Sequence, residues 1–241
     1  MTTTLKTRTA RLSVISNSLL IAMKLASGII SGSVSIISEA IHSSLDLIAA
    51  IIAFFAVKIS GTPADDRHPF GHGKVENVSG VIEALLIFVA SAWIVFEAIK
   101  RFINPGETVA LGLGVLVMAI SAIVNFFVSR RLYKVARQTD SVALEADALH
   151  LKTDVITSAG VALGLGLIWL TGWHVLDPII ALAVAVIIIY ESWMLLRKAF
   201  FPLLDTALSH DEMEKLTGIL EEMKVDYHDL KTRAAGHQRF V

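Results

Sequence analysis

The sequence predicts an all-α membrane protein of six transmembrane helices, with both termini cytoplasmic and a short soluble tail. Three observations predict it. Of 241 residues, 54% are hydrophobic and 18% charged, with a mean hydropathy of +0.66, more apolar surface than a soluble domain of this length can use. Six apolar stretches each reach the roughly 20 residues that a helix needs to cross a bilayer. The basic residues between these stretches fall very unequally on the two sides.

In chain order, the N-terminus is polar and carries Lys6, Arg8 and Arg11. The apolar stretch after it is too long for a signal-peptide core and shows no cleavage site, so it reads as a retained span. Spans are expected at 11–32, 36–59, 77–102, 108–130, 144–171 and 176–198. Gly32-Ser33, Gly61-Thr62-Pro63, Asn104-Pro105-Gly106 and Thr171-Gly172 mark the connections. None of the apolar runs alternates with period two, which argues against membrane strands. With this topology Lys6, Arg8, Arg11, Lys58, Arg67, Lys74, Arg130, Arg131, Lys134, Arg137, Arg197 and Lys198 share one side, and only Lys100 and Arg101 the other. Twelve against two sets the orientation.

After Phe201-Pro202 the composition changes, dividing the chain into a transmembrane domain, 1–205, and a partial cytoplasmic domain, 206–241. Residues 209–225 read as an acidic amphipathic helix with Ser209 as N-cap, and residues 226–241 as the opening of a strand. Domains under ~40 residues rarely bury a core of their own, so this tail is expected to dock or to belong to a larger soluble domain. A net charge of −1 gives no case for a nucleic-acid partner. With no cysteine, disulfides, thiolate metal sites and cysteine catalysis are excluded.

The chemistry lies in a repeated octet. Residues 39–46 read EAIHSSLD and residues 147–154 read DALHLKTD, so His42 precedes Asp46, and His150 precedes Asp154, by four positions. That spacing puts both side chains on one helix face, with Cβ atoms about 5–6 Å apart. Two such helices packed together supply two His and two Asp to one ion. Tetrahedral N/O coordination suits Zn²⁺, with other first-row divalent metals as competitors. An Asp at the centre of a membrane helix costs about 2.5–3.5 kcal/mol, so Asp46 and Asp154 are expected to face a cation or a wet passage. Small Ala49 and Ala53 continue the face of Asp46, while Asp147 and Ser158 extend that of Asp154. Glu39 and Asp147 are left as passage lining. The bland alternative, a structural ion pair of Asp154 with Lys152 or Lys24, meets the objection that Lys152 is only two positions away and points elsewhere.

Protons compete with metal for imidazole and carboxylate, so a proton gradient can drive release without ATP. No phosphate-binding loop of the Walker type is present. A second cluster, Asp65, His68 and His72, crowds the Gly- and Pro-rich segment between the second and third spans. Asn17, Lys24, Glu83, Glu97, Asn125 and Glu191 are further polar residues within spans, for which structural roles are expected.

These features together resemble the cation diffusion facilitator family of divalent-metal/proton antiporters, over essentially the whole chain. Residues 31–46 (SGSVSIISEAIHSSLD) are similar to the family's first-to-second helix segment. Residues 66–76 (DRHPFGHGKVE) resemble the loop of its iron/zinc branch, and 228–237 (HDLKTRAAGH) the start of its soluble domain. The resemblance implies a transport site of His42, Asp46, His150 and Asp154, and a second, weaker site of Asp65, His68 and His72. It also implies an interlocking ion pair, Lys74 with Asp205, and a soluble-domain metal ligand at His228. His174, His210 and His237 are expected to do nothing specific. The implied protein is no enzyme and holds no resident cofactor. It is a homodimer that exports Zn²⁺, or Fe²⁺, Cd²⁺, Co²⁺ or Mn²⁺, against protons; compactness and the absence of a targeting segment favour a bacterial inner membrane. The ferredoxin-like domain of relatives is cut short here after one helix and a strand, which bears on dimerisation. A membrane metalloenzyme is the alternative from another class, but HExxH is absent. A passive divalent channel would share the lining, though a four-ligand trap opposes fast conduction.

Overall fold

The fold is taken from a computed structural model that describes residues 2–31, 34–103, 113–171, 176–236 and 238–241, with some side chains inside those ranges, including His42, Glu39, Glu97 and Ser158, outside the description. The expected turn residues Gly32, Ser33, Asn104, Pro105, Gly106 and Gly172, with His174 and His237, also lie outside it. Among the described residues six long helices run in order: α1 Thr2–Ser31, α2 Val34–Ser60, α3 Lys74–Ile103, α4 Leu113–Thr139, α5 Val142–Thr171 and α6 Leu176–Phe200. A 3₁₀ turn at Phe201–Leu204 leads to α7, His210–Glu222, and to a hairpin of β1, Arg233–Ala235, and β2, Gln238–Phe240.

The bundle is turned inside out relative to a soluble protein. On α1 the buried positions are Lys6, Thr9, Ala10, Ser13, Ser16, Asn17, Leu20 and Lys24, one helical stripe that is mostly polar. Its outer face shows Leu12, Ile15, Leu19 and Leu25. Large apolar side chains are likewise exposed on the other helices, among them Phe55, Val89, Trp93, Phe127, Val186 and Tyr190. So much contiguous apolar surface calls for lipid or a partner. Among the described residues two stretches, Lys74–Lys100 and Ile179–Leu204, are long and apolar enough by themselves to cross a bilayer.

Packing centres on α5. It touches α1, α2, α3, α4 and α6. Apart from Glu145, every residue from Val142 to Leu151 is buried, so this part of α5 is enclosed on all sides. Ala143, Leu144, Ala148 and Leu151 pack with Ala10 of α1, Ala56 and Val57 of α2, and Val128, Leu132, Val135 and Ala136 of α4. On the opposite side Ala146 and Leu149 pack with Ala84 and Ile87 of α3 and Ile188 and Leu195 of α6. Gly80 permits the closest approach: a Cβ there would lie 2.7 Å from Val142 Cγ1 and 3.0 Å from Ala199 Cβ. Ser192 of α6 donates to the Ala84 carbonyl at 2.8 Å, and Ser129 of α4 to the Ala148 carbonyl at 2.7 Å.

Four sequence expectations are revised. Helix α1 begins at Thr2 and α4 runs on to Thr139, nine residues outside the expected spans at each place. Hydropathy reports the part in lipid, whereas these ends are held by amphipathic packing, as Leu132, Val135, Ala136 and Thr139 on α4 show. Helix α7 stops at Glu222 rather than at 225, because Lys224 adopts a left-handed conformation (φ 52°). Its N-terminus matches expectation: Ser209 and Glu212 form a capping box. The segment 226–241 forms two short strands, not one, paired Arg233 to Phe240 and Ala235 to Gln238.

Candidate metal centre

Helices α2 and α5 lie side by side because the α2 face behind Asp46 is lined by Ala49, Ala50 and Ala53, all fully buried and too small to hold the helices apart. Asp46 and His150 are buried, and Asp154 is half-buried. His150 Nε2 lies 2.8 Å from Asp46 Oδ1, across the α2–α5 seam. One ligand atom each of Asp46, His150 and Asp154 lies within 4.8 Å of the other two. Asn125 of α4 donates to Asp154 Oδ2 at 3.4 Å, placing an amide at the rim. The backbone of His42 stands one turn before Asp46 on α2, and its side chain lies outside the described residues.

Ligand atoms around a tetrahedral zinc with bonds of ~2.0–2.1 Å stand about 3.3 Å apart, so three donors within 4.8 Å need only small side-chain rotations to close on an ion. The 2.8 Å contact between His150 and Asp46 is shorter than that separation, so the two atoms must part slightly to share an ion.

The loop between α2 and α3 brings a second set together. Asp65 Oδ1 accepts from the backbone N–H of His68 at 2.6 Å and of Arg67 at 2.9 Å, and stands 3.0 Å from His68 Nδ1. His72 Nε2 is 3.5 Å from Asp65 Oδ2, and the two imidazole rings are 4.4 Å apart. The three ligand atoms again fall within 4.8 Å of one another. The His68 backbone N–H, more than any other neighbour, holds the Asp65 carboxyl below the usual carboxylate range.

Lys74, at the start of α3, donates to Asp205 at 2.8 Å, and Arg233 of β1 reaches the same oxygen at 3.1 Å. Lys74 is the main cause that keeps the Asp205 carboxyl below its ordinary value. His228 is exposed and joins neither cluster, and His210 is exposed at the start of α7.

Several residues with no assigned role in the sequence reading prove central. The Lys/Arg bias sets Lys6 on the cytoplasmic side, but the structure buries it 2.8 Å from Glu76, which is fully buried. Glu76 also accepts from Ser60 at 2.7 Å and from Ser141, so one carboxylate ties α1, α2, α3 and the α4–α5 corner. The stripe of buried positions at Lys6, Ala10, Ser13 and Asn17 was the available signal. Lys152 pairs with Glu191 at 2.5 Å, across the α5–α6 seam and away from Asp154. Lys24 donates to Ser43 at 2.6 Å.

The comparisons with known proteins agree with this architecture. Residues 10–204 match the family model described as the cation efflux transmembrane domain. The chain is 38% identical over 222 residues to an uncharacterized transporter, sll1263, of Synechocystis sp., covering 91% of this chain and 72% of that one. It is 33% identical over 226 residues to the cation-efflux pump FieF of Shigella flexneri, covering 93% and 75%, and equally so to FieF of Escherichia coli K12.

Proposed function

Because the chain belongs to the cation efflux family, the cation diffusion facilitators, and is thus a membrane transporter and not an enzyme, we propose that it exports a divalent transition metal from the cytoplasm in exchange for protons. Zn²⁺ is the first candidate, with Fe²⁺, Cd²⁺, Co²⁺ and Mn²⁺ behind it. The observation that carries the reading is the convergence of Asp46, His150 and Asp154 from α2 and α5 on one point in the bundle. His42 completes a four-ligand set in this reading.

The exchange follows from the donor chemistry. In the ion-free arrangement a proton bridges His150 Nε2 and Asp46 Oδ1. A cation entering between them needs both atoms bare, so that proton must leave. On the far side, where protons are abundant, reprotonation returns the bridge and expels the metal. The two carboxylates and two imidazoles carry a charge near −2 when deprotonated, which a divalent ion cancels. Burial of Asp46 makes that cancellation strong, since an unpaired carboxylate in this setting costs several kcal/mol.

The same reading places six spans in a bacterial inner membrane, both termini in the cytoplasm, with 1–205 as the transport domain and 206–241 as part of a soluble domain. The Asp65, His68 and His72 cluster is then a cytoplasmic-side metal site of lower affinity. Lys74 and Asp205 form an interlocking ion pair near the cytoplasmic membrane surface in each subunit of a homodimer.

Proteoliposomes with a pH gradient test the exchange. Zn²⁺ flux should fall at least tenfold when the gradient is collapsed with an ionophore. Flux that ignores the collapse would favour a passive channel. Competition by Fe²⁺, Cd²⁺, Co²⁺ and Mn²⁺ in the same assay ranks the cargo.

A further inference from the structure

Glu83 of α3 and Asp147 of α5 take no part in the site just described, yet both are fully buried. Each has one carboxylate oxygen satisfied by a serine. Ser79 donates to Glu83 Oε1 at 2.9 Å, and Ser13 of α1 donates to Asp147 Oδ1 at 3.1 Å. The other oxygens, Glu83 Oε2 and Asp147 Oδ2, are buried with no hydrogen-bond partner among the described residues. No Lys or Arg among the described residues pairs with either carboxylate.

The two residues lie at the same level on facing helices. Helices α3 and α5 run parallel here, in a register set by Gly80 against Val142. One turn further along both helices, Ala84 and Ala146, which adjoin Glu83 and Asp147, fall in one packed cluster. Glu83, Asp147 and His150 also lie within electrostatic reach of one another. Asp147 precedes His150 by three residues, a rise of about 4.5 Å toward the α4–α5 corner.

Two buried carboxylates each cost several kcal/mol if charged and unpaired, so the pair must either hold a proton or take a cation. Four oxygen donors, two carboxylate and two hydroxyl, suit a divalent ion that keeps part of its hydration. We propose that Glu83 and Asp147, with the hydroxyls of Ser13 and Ser79, form an oxygen-lined staging site that holds the divalent cation one helical turn before the His/Asp centre. The site gives the cargo a weaker, faster-exchanging stop. From it the ion moves to His150 and Asp154 along the same face of α5. The proposal rests on the transport reading above, and the two are separable by experiment.

The test uses the full chain in detergent with His68→Ala and His72→Ala, which remove the loop cluster, and Cd²⁺ as the only added metal. Equilibrium dialysis should count two Cd²⁺ per chain, and ¹¹³Cd NMR should show one resonance from an all-oxygen site and one from a nitrogen-containing site. Adding Glu83→Gln should remove the oxygen-type resonance and leave one ion bound. Adding Asp154→Ala instead should remove the other. Asp147→Asn is the second variant should Glu83→Gln fail to elute as folded protein. A count of one that neither Glu83→Gln nor Asp147→Asn changes would overturn the staging site, meaning a shared proton holds the pair. Loss of neither ion on Asp154→Ala would instead overturn the transport-site reading, whatever Glu83→Gln does.

Discussion

At the scale of single residues, the account turns on side chains that are costly to bury unless something balances them. Asp46 has His150 at 2.8 Å, and removing it strands an imidazole inside the bundle. Asp46→Ala is expected to cut Zn²⁺ flux at least a hundredfold, measured by a fluorescent zinc reporter inside proteoliposomes, with helicity unchanged by circular dichroism. Lys6 and Glu76 make the opposite kind of site, with structure and no cargo. Breaking a buried pair by removing one partner costs about 3–5 kcal/mol, so Lys6→Met should lower the thermal unfolding midpoint sharply. Residual flux below the melting point should stay near wild type, and a midpoint unchanged within error would show the pair to be worth little. The spacing of His42 to Asp46 and of His150 to Asp154 can be read from the sequence because four residues along a helix is a local relation, and of these side chains the described structure brings Asp46, His150 and Asp154 together. Lys6 and Glu76 are 70 positions apart, and nothing local in either segment names the partner.

At the scale of elements, α5 is the organising helix, and its enclosure explains why a polar helix is tolerated at the centre. Gly80 sets how near α3 comes to it. Gly80→Leu should wedge the two helices apart, against a Cβ already 2.7 Å from Val142, and lower both expression and stability. The C-terminal hairpin docks through a similar close approach. A Cβ on Gly73 would sit 2.2 Å from the Ala235 carbonyl oxygen, and Gly236 holds φ 58° while donating its N–H to Asn77 Oδ1 at 2.9 Å. Arg233 stacks over Phe70 at 4.0 Å, and Phe70 meets Phe240 edge-on. The long helices could be read from hydropathy, but their extensions beyond the lipid and this docking could not. Those depend on surfaces contributed by residues 61–77 and 226–241, which are far apart in sequence.

The hairpin also carries a pH dependence. Lys74 holds Asp205 below its ordinary 3.8, and Arg239 is the chief cause that holds Glu212 below 4.5. A carboxyl depressed in the folded state contributes stability that is fully present above its unfolded value and lost as pH falls through its folded value. Docking of the tail should therefore be constant from pH 8 to 5 and weaken below about 4, read as falling protection of the β1 and β2 amides once hydrogen exchange is corrected for its intrinsic pH dependence. These pairs are largely exposed, so the loss should be partial and sensitive to salt. Protection lost between pH 8 and 5 instead would contradict this account of the docking.

At the scale of the whole molecule, the chain is a polar-cored bundle with an apolar exterior, which is what a cation needs in order to cross lipid. The family match over residues 10–204 establishes a cation efflux transporter, and the convergence of Asp46, His150 and Asp154 locates the proposed point of passage. The choice of metal and the exchange with protons rest on the donor chemistry. One measurement tests the central claim most directly: Zn²⁺ flux under a fixed pH gradient in proteoliposomes carrying either the unaltered chain or Asp154→Ala at equal, folded density. The account predicts that the unaltered chain moves Zn²⁺ with counterflow of protons and that Asp154→Ala moves neither above the rate of empty vesicles. Equal flux from the two proteins would contradict it.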